Sequence, residues 1–329
     1  MGSNSDERCW LGFDLGGTKM MAVVFDADFH TLASKKTKTK ALNGAKDVLD
    51  RIVEITREAL DEAHVKAQRL RGIGVGCPGP LDLDRGVIIE APNLGWKNVT
   101  IKETLEKVFD CPTVIANDVD AGTYGEHRFG AAQKARCVLG VFPGTGIGGA
   151  CIYEGRIFRG KTGSCMEIGH MLVQPHGRLC GCGQRGCLET VASRLAISAE
   201  VAAAAYRGEA PHILELAGTD LAEIKSGVLA KAIEAGDATV ERVVRNAAQQ
   251  LGTAIASVVN LLAPDVVVLG GGLVEAMSDL FVGEVRRVVD NRAMKTFTRS
   301  LKVVAAQLGD NATALGAAAL AAEAAEEKS

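Results

Sequence analysis

The sequence predicts an α/β protein of two lobes facing each other across a cleft, and three observations carry that prediction. Two hairpins with glycine turns, CWLGFDLGGTKMMAVVFDAD at 9–28 and CVLGVFPGTGIGGACIYEG at 137–155, share one layout of apolar strand, turn and apolar strand. That layout reads as an internal duplication, with one such unit opening each half. After each hairpin, strand-like and helix-like patterns alternate, as they do when a sheet is flanked by helices. The chain has 329 residues, enough for about two domains at ~100–200 residues each.

The elements follow in order. A third strand is expected at Thr31 to Lys38. Residues 45–64 place Val48, Ile52, Ile55 and Ala59 on one face at helical spacing. GIGVGCPGP is a short buried strand ending in a turn, TIKETLEKVF a short amphipathic helix, and PTVIAND a strand with a polar end. The second half continues with a long helix at 239–262, the strand DVVVLGGG, a helix at 275–291, the strand LKVVAAQ and an alanine-rich last helix. The expected division puts 1–117 and the last helix, about 312–329, in a small first lobe. The large second lobe is then 118–311, with the boundary near Asp118.

Composition excludes several classes. Hydrophobic residues are 47% and charged residues 23%, as in ordinary globular proteins. A net charge of -3 with 2 tryptophans and 3 tyrosines offers neither a basic field nor stacking platforms for nucleic acid. No run reaches the ~18 apolar residues of a membrane span, and the first ten residues lack a signal core. Six of the nine cysteines are scattered in or beside apolar runs, as expected of buried thiols in the reducing cytoplasm. KKTKTK at 35–40 reads as an exposed edge strand whose lysines discourage aggregation.

Four stretches carry chemistry. In FDLGGTK, Gly16 and Gly17 can expose backbone N–H groups to phosphate oxygens, Thr18 adds a hydroxyl, Lys19 a charge, and Asp14 can hold Mg²⁺ through water. PGTGIGGA offers the same arrangement from the other half through Gly144, Thr145 and Gly146. LGGGLVEA, with Gly270, Gly271 and Gly272, lets a purine or ribose approach the backbone. The G-x-G-x-x-G matches at Gly74 and Gly144 lack the following helix of a dinucleotide site. Asn117 and Asp118 end PTVIAND, where a carboxylate can accept a proton from an attacking hydroxyl or cap the next helix.

The fourth stretch is LCGCGQRGCLET at 179–190. His170, Cys180, Cys182 and Cys187, spaced H-x9-C-x-C-x4-C, supply the nitrogen and three sulfurs of a tetrahedral zinc site. C-x-x-C, the usual redox spacing, is absent. Gly181, Gly183 and Gly186 allow the curl that points the sulfurs inward. His176 is an alternative fourth ligand, and Glu167 and Glu189 flank the cluster, where a stiffened loop would aim them at a polyhydroxylated ligand.

FDLGGTK, APNLGW, IANDVDAGTYGE, GTGIGGA, EIGHM with CGCGQRGCLETVAS, and LGGGLVEA, in that order and over nearly the whole chain, resemble the ROK family of sugar kinases and repressors. The resemblance implies the two-lobed actin-like ATPase (ribonuclease H-like) fold, with MgATP between the two glycine hairpins. It implies Asp118 as catalytic base, and Gly79, Asn93, Asn117, Glu167, His170 and Glu189 around the sugar. It selects His170 over His176 as the zinc ligand. The implied reaction moves the γ-phosphoryl group of ATP to the 6-hydroxyl of glucose. N-acetylmannosamine, fructose or allose are the alternative acceptors, and a sugar-responsive regulator the alternative class. Regulators of the family carry an added N-terminal helix-turn-helix, for which a hairpin beginning near residue 11 leaves no room. Homodimers or homotetramers are the implied assembly.

Overall fold

The computed structural model describes residues 8–17, 19–39, 44–91, 95–161, 163 and 165–327. The chain divides into two compact units, Met1–Gln133 with Arg156–Cys165 and Asp310–Ser329, and Lys134–Gly155 with Met166–Gly309.

In chain order the first unit holds β1 (Cys9–Leu15), β2 (Lys19–Phe25), β3 (Thr31–Lys38), α1 (Ala45–Glu62), β4 (Leu70–Cys77), β5 (Leu81–Asp82), β6 (Val87–Ala91), β7 (Trp96–Thr100), α2 (Ile101–Phe109), β8 (Thr113–Asn117) and α3 (Asp118–Phe129). Its main sheet runs β3-β2-β1-β4-β8. β1 is antiparallel to β2 and parallel to β4, which is parallel to β8. β3 is therefore the edge strand, where its lysines face solvent. Val48, Ile52, Ile55 and Ala59 are each fully buried in the core of this unit, because their spacing puts them on one side of α1. A second sheet, β5-β6-β7, has no counterpart in the sequence reading, since its strands are short and interrupted by turn residues.

The second unit begins with β9 (Cys137–Pro143) and β10 (Ile147–Tyr153), and after the short β11 (Arg156–Ile157) of the first unit it continues through α4 (Glu189–Ala192), α5 (Arg194–Tyr206), α6 (Pro211–Ala217), α7 (Ser226–Glu234), α8 (Ala238–Leu262), β12 (Val266–Leu269), α9 (Gly272–Ala276), α10 (Ser278–Arg292), α11 (Lys295–Thr298) and β13 (Lys302–Ala305). The strands lie in the order β10-β9-β12-β13. β9 is antiparallel to β10 and parallel to β12, which is parallel to β13. This repeats β2-β1-β4-β8, so the duplication read from the hairpins extends to the sheets. The core is lined by α5, α8 and α10, with Leu251, Ile255, Phe281 and Val285 fully buried. The helix expected at 275–291 is split at Met277 into α9 and α10.

The boundary expected near Asp118 lies instead after Gln133. The reason is α3, which packs along the last helix, α12 (Ala312–Glu326), inside the first unit. Glycine lets α12 approach β1, β4 and α3 closely: a Cβ would stand 1.9 Å from Ala314 O at Gly12, 1.8 Å from Ala317 O at Gly74 and 1.8 Å from Ala121 O at Gly316. Gly316→Ala is accordingly expected to destabilise the protein by about 1–3 kcal/mol or more, read as a lower denaturant midpoint. An unchanged midpoint would contradict this packing. No helix among the described residues is long and apolar enough to cross a membrane.

Candidate functional site

In the first unit, register brings the chemistry to the C-terminal edge of the parallel strands. Asp14 on β1 pairs with Gly76 on β4, which pairs with Ala116 on β8, two residues before Asp118. Ligands of open α/β sheets bind at this edge. The cap of α3 is Asn117: its Oδ1 accepts from Val119 N at 2.9 Å and Asp120 N at 3.2 Å. The capping alternative for Asp118 is thereby corrected. Asp118 is the first helical residue, half-buried, with Oδ1 accepting from Val119 N at 3.0 Å. Its backbone carbonyl also accepts from Thr313 Oγ1 of α12 at 3.3 Å.

The β1–β2 turn differs in detail from expectation. Gly16 N–H donates to Lys19 O at 3.0 Å and Gly16 O accepts from Thr39 Oγ1 at 2.8 Å, so Gly16 closes the hairpin. The N–H of exposed Gly17 is the better candidate for an incoming oxygen. Thr18 and Asn93 lie outside the described residues. Gly79, at φ 89, lets Glu90 pass closely, because a Cβ there would stand 2.2 Å from Glu90 O. Sequence reasoning missed Lys36 and Asp310, which form an ion pair. The only signal for Lys36 was KKTKTK, which reads equally well as an edge strand.

Burial pushes the Asp14 carboxyl up to about 7, with the charges of Asp118 and then Asp310 adding to the rise and Lys19 and Lys36 opposing it. An unfolded chain ionises this group near 3.8. Below that value both states are protonated and folding carries no penalty. Above about pH 7 both are ionised and the folded state bears the whole cost of the buried charge, so stability falls as pH rises through this window. At about 1.4 kcal/mol per unit the ceiling is about 4 kcal/mol, and partial solvent access reduces it to roughly 1–2 kcal/mol. Asp14→Asn is therefore expected to raise the melting temperature by a few degrees at pH 8 and to leave it unchanged at pH 4. A rise of equal size at both pH values would refute the assigned cause.

The second unit repeats the arrangement. The turn after β9 closes with Gly144 N–H on Gly146 O at 2.8 Å. At the same edge, Gly270 N–H donates to Val141 O at 3.1 Å, and a Cβ on Gly271, φ 79, would stand 2.9 Å from Pro143 O. Gly144, Thr145 and Gly146 thus adjoin Gly270, Gly271 and Gly272. EIGHM is pressed onto β10 by two further glycines, since a Cβ would stand 2.4 Å from Met166 O at Gly149 and 2.2 Å from Ile147 O at Gly169.

One ligand atom from each of His170, Cys180, Cys182 and Cys187 lies within 4.8 Å of the others. Cys180 Sγ is 3.5 Å from His170 Nδ1, and Cys182 Sγ is 3.7 Å from Cys187 Sγ. These match the edges of about 3.6–3.8 Å in a tetrahedron with metal–sulfur bonds of about 2.3 Å. His176 is exposed and outside the group. Gly183 and Gly186 have φ of 87 and 79, whereas Gly181 has no such requirement. Glu189 opens α4, accepts from Cys180 Sγ at 2.9 Å, and its other oxygen would be 2.9 Å from a Cβ on Gly146. It therefore joins the cysteine cluster to the glycine turn. Glu167 is exposed just before the short helical turn ending at His170.

Two units of one topology, each with a glycine turn at the C-terminal edge of its sheet, define a two-lobed actin-like ATPase fold. The chain belongs to the ROK family, whose model matches residues 10–324. The glucokinase of Thermotoga maritima is 32% identical over 94% of this chain and 96% of its own length. A ROK family glucokinase from Streptomyces griseus, solved with glucose and AMPPNP, is similar with a TM-score of 0.83 at 30% identity, covering 96% of this chain and 99% of its own. The xylose repressor of Caldicellulosiruptor bescii is 26% identical over 96% of this chain and 79% of its own length.

Proposed function

We propose that this protein is an ATP-dependent hexose kinase that transfers the γ-phosphoryl group of MgATP to the 6-hydroxyl of glucose. The observation that carries the reading is the strand-end pairing of the first unit, which brings Asp14, Gly17 and Asp118 to one sheet edge. Asp118 takes the hydroxyl proton as that oxygen attacks the γ-phosphorus, the bond to the β-phosphate oxygen breaks, and ADP leaves. The transition state is loose, so catalysis rests on positioning and charge neutralisation. Asp14, with Lys19 nearby, is the group that would hold the Mg²⁺ of the nucleotide. In this reading Gly144, Thr145 and Gly146 bind the phosphates and Gly270, Gly271 and Gly272 the adenosine, and Thr18 is assigned to the phosphates because it matches the family's motif.

Asn93, Asn117, Glu167, His170 and Glu189 are assigned to the sugar hydroxyls because they match the family's motifs. The donor set of His170, Cys180, Cys182 and Cys187 fits zinc, which supplies rigidity and, with four protein ligands, no reactive water. His170 turns Nδ1 to the thiols, which leaves Nε2 for a hydroxyl. None of the nine cysteines is in a disulfide; we assign the protein to the cytoplasm and as a homodimer or homotetramer.

A sugar-responsive regulator is the second reading, favoured by the similarity to the xylose repressor. The test is ADP release from MgATP with glucose, N-acetylmannosamine, fructose, mannose and allose at equal concentration, with polyphosphate as a second donor. Strong stimulation by glucose alone supports the proposal, and another preferred sugar keeps the mechanism with a different acceptor. Sugar binding without ADP release from folded, zinc-loaded protein would favour the regulator.

A further inference from the structure

Arg194 is the first residue of α5, directly after CLETVAS. Its backbone N–H donates to Gly144 O at 2.8 Å and its Nη2 to Thr145 Oγ1 at 3.1 Å, so the half-buried side chain reaches the tip of the β9–β10 turn. A guanidinium carries five N–H donors, and the Thr145 hydroxyl accepts one. Among the described residues no carboxylate lies within ion-pair distance of it. Position also matters. The N-terminus of a helix is its positive end, where a cation is disfavoured unless an anion is near. Ser193 already caps α5 by accepting from Ala196 N at 3.2 Å, so the helix does not need Arg194 to begin. An unpaired guanidinium at the positive end of a helix, hydrogen-bonded to a glycine turn, lacks an anionic partner.

We propose that Arg194 binds the phosphate chain of the nucleotide. This rests on the reading that the Gly144–Gly146 turn holds MgATP. Arg194 keeps its hydrogen bond to Thr145 and directs its remaining donors at phosphate oxygens, for which the planar fork is suited. It thereby joins the segment that carries the cysteine cluster and Glu189 to the phosphates.

The test is calorimetric titration of the full chain with AMPPNP, ADP and adenosine, for the wild type, Arg194→Ala, Arg194→Lys and Arg194→Gln. Arg194→Ala should weaken AMPPNP and ADP about 10–100-fold, the loss of a charged hydrogen bond, and leave adenosine within twofold. Arg194→Gln, which can still donate to Thr145 Oγ1 but carries no charge, should lose as much as Arg194→Ala, and Arg194→Lys should fall between that and the wild type, since it keeps the charge without the fork. The KM for MgATP should rise in Arg194→Ala while that for sugar stays constant. Wild-type affinity in Arg194→Gln would reduce Arg194 to a prop for the turn, and an equal loss of adenosine in Arg194→Ala would mean a damaged helix; either overturns the proposal. Unchanged nucleotide affinity in Arg194→Ala overturns this inference alone, whereas a wild type that binds no AMPPNP overturns the kinase reading with it.

Discussion

Asp118→Asn is expected to lower kcat about 10²–10⁴-fold, the usual contribution of a positioned general base, while sugar affinity changes by no more than a few-fold. The amide keeps the shape of the carboxylate and can still hydrogen-bond a hydroxyl, but it cannot take the proton. The fold should tolerate the change, because α3 is capped by Asn117 and the Thr313 bond reaches the backbone carbonyl of residue 118. Steady-state kinetics paired with sugar titration separates the two effects. A second signature follows from the electrostatics. The Asp118 charge helps to raise the Asp14 carboxyl, so Asp118→Asn should also lower the pH at which nucleotide affinity is lost on the acid side. Full activity in the variant would remove Asp118 from the base role.

Extracting zinc, or replacing Cys180 with serine, is expected to weaken sugar binding about 10–100-fold, as when charged hydrogen bonds are lost, and nucleotide binding much less. Glu189 explains the asymmetry. A Cys180 thiol donates to Glu189 Oε1, and a metal-bound thiolate has no proton to donate, so the metal decides where that carboxylate is aimed. The glycine turns are held by backbone bonds such as Gly144 N–H to Gly146 O and Gly270 N–H to Val141 O, which do not involve the cysteines. The measurement is metal content, expected at one zinc per chain, together with separate titrations of sugar and AMPPNP before and after chelation. Equal loss of both ligands would indicate general unfolding and defeat the claim.

The paired hairpins were legible because strand alternation and a glycine turn are local patterns, whereas the parallel pairing that extends the repeat joins strands distant in the chain. The cluster of three cysteines was legible as well, since sequence spacing alone limits which sulfurs can meet. The β5-β6-β7 sheet and helices α4 to α7 were not. Except for α5 their segments are short, and what holds them is burial against neighbours, as for Ile197, Ile213 and Leu229 in the second core. The choice between His170 and His176 came from the family resemblance, since both lie at workable distances along the chain. Glycines gave a mixed result: Gly17 suits the phosphate reading, while Gly16 and Gly79 serve chain closure and close passage.

The sequence by itself determined the α/β class, the duplicated hairpins, the residue types of the histidine–cysteine cluster and the family, all of which are written in residue types at short spacing. Only the tertiary structure decided that Asn117 rather than Asp118 caps α3, that Asp310 meets Lys36 across 274 residues, that Glu189 links the cysteines to the glycine turn, and that Arg194 stands on Thr145. The reason is physical. A cap, an ion pair or an unpaired guanidinium is a relation between groups that packing brings together, and a residue's type and near neighbours in the chain do not specify which distant atom it will face.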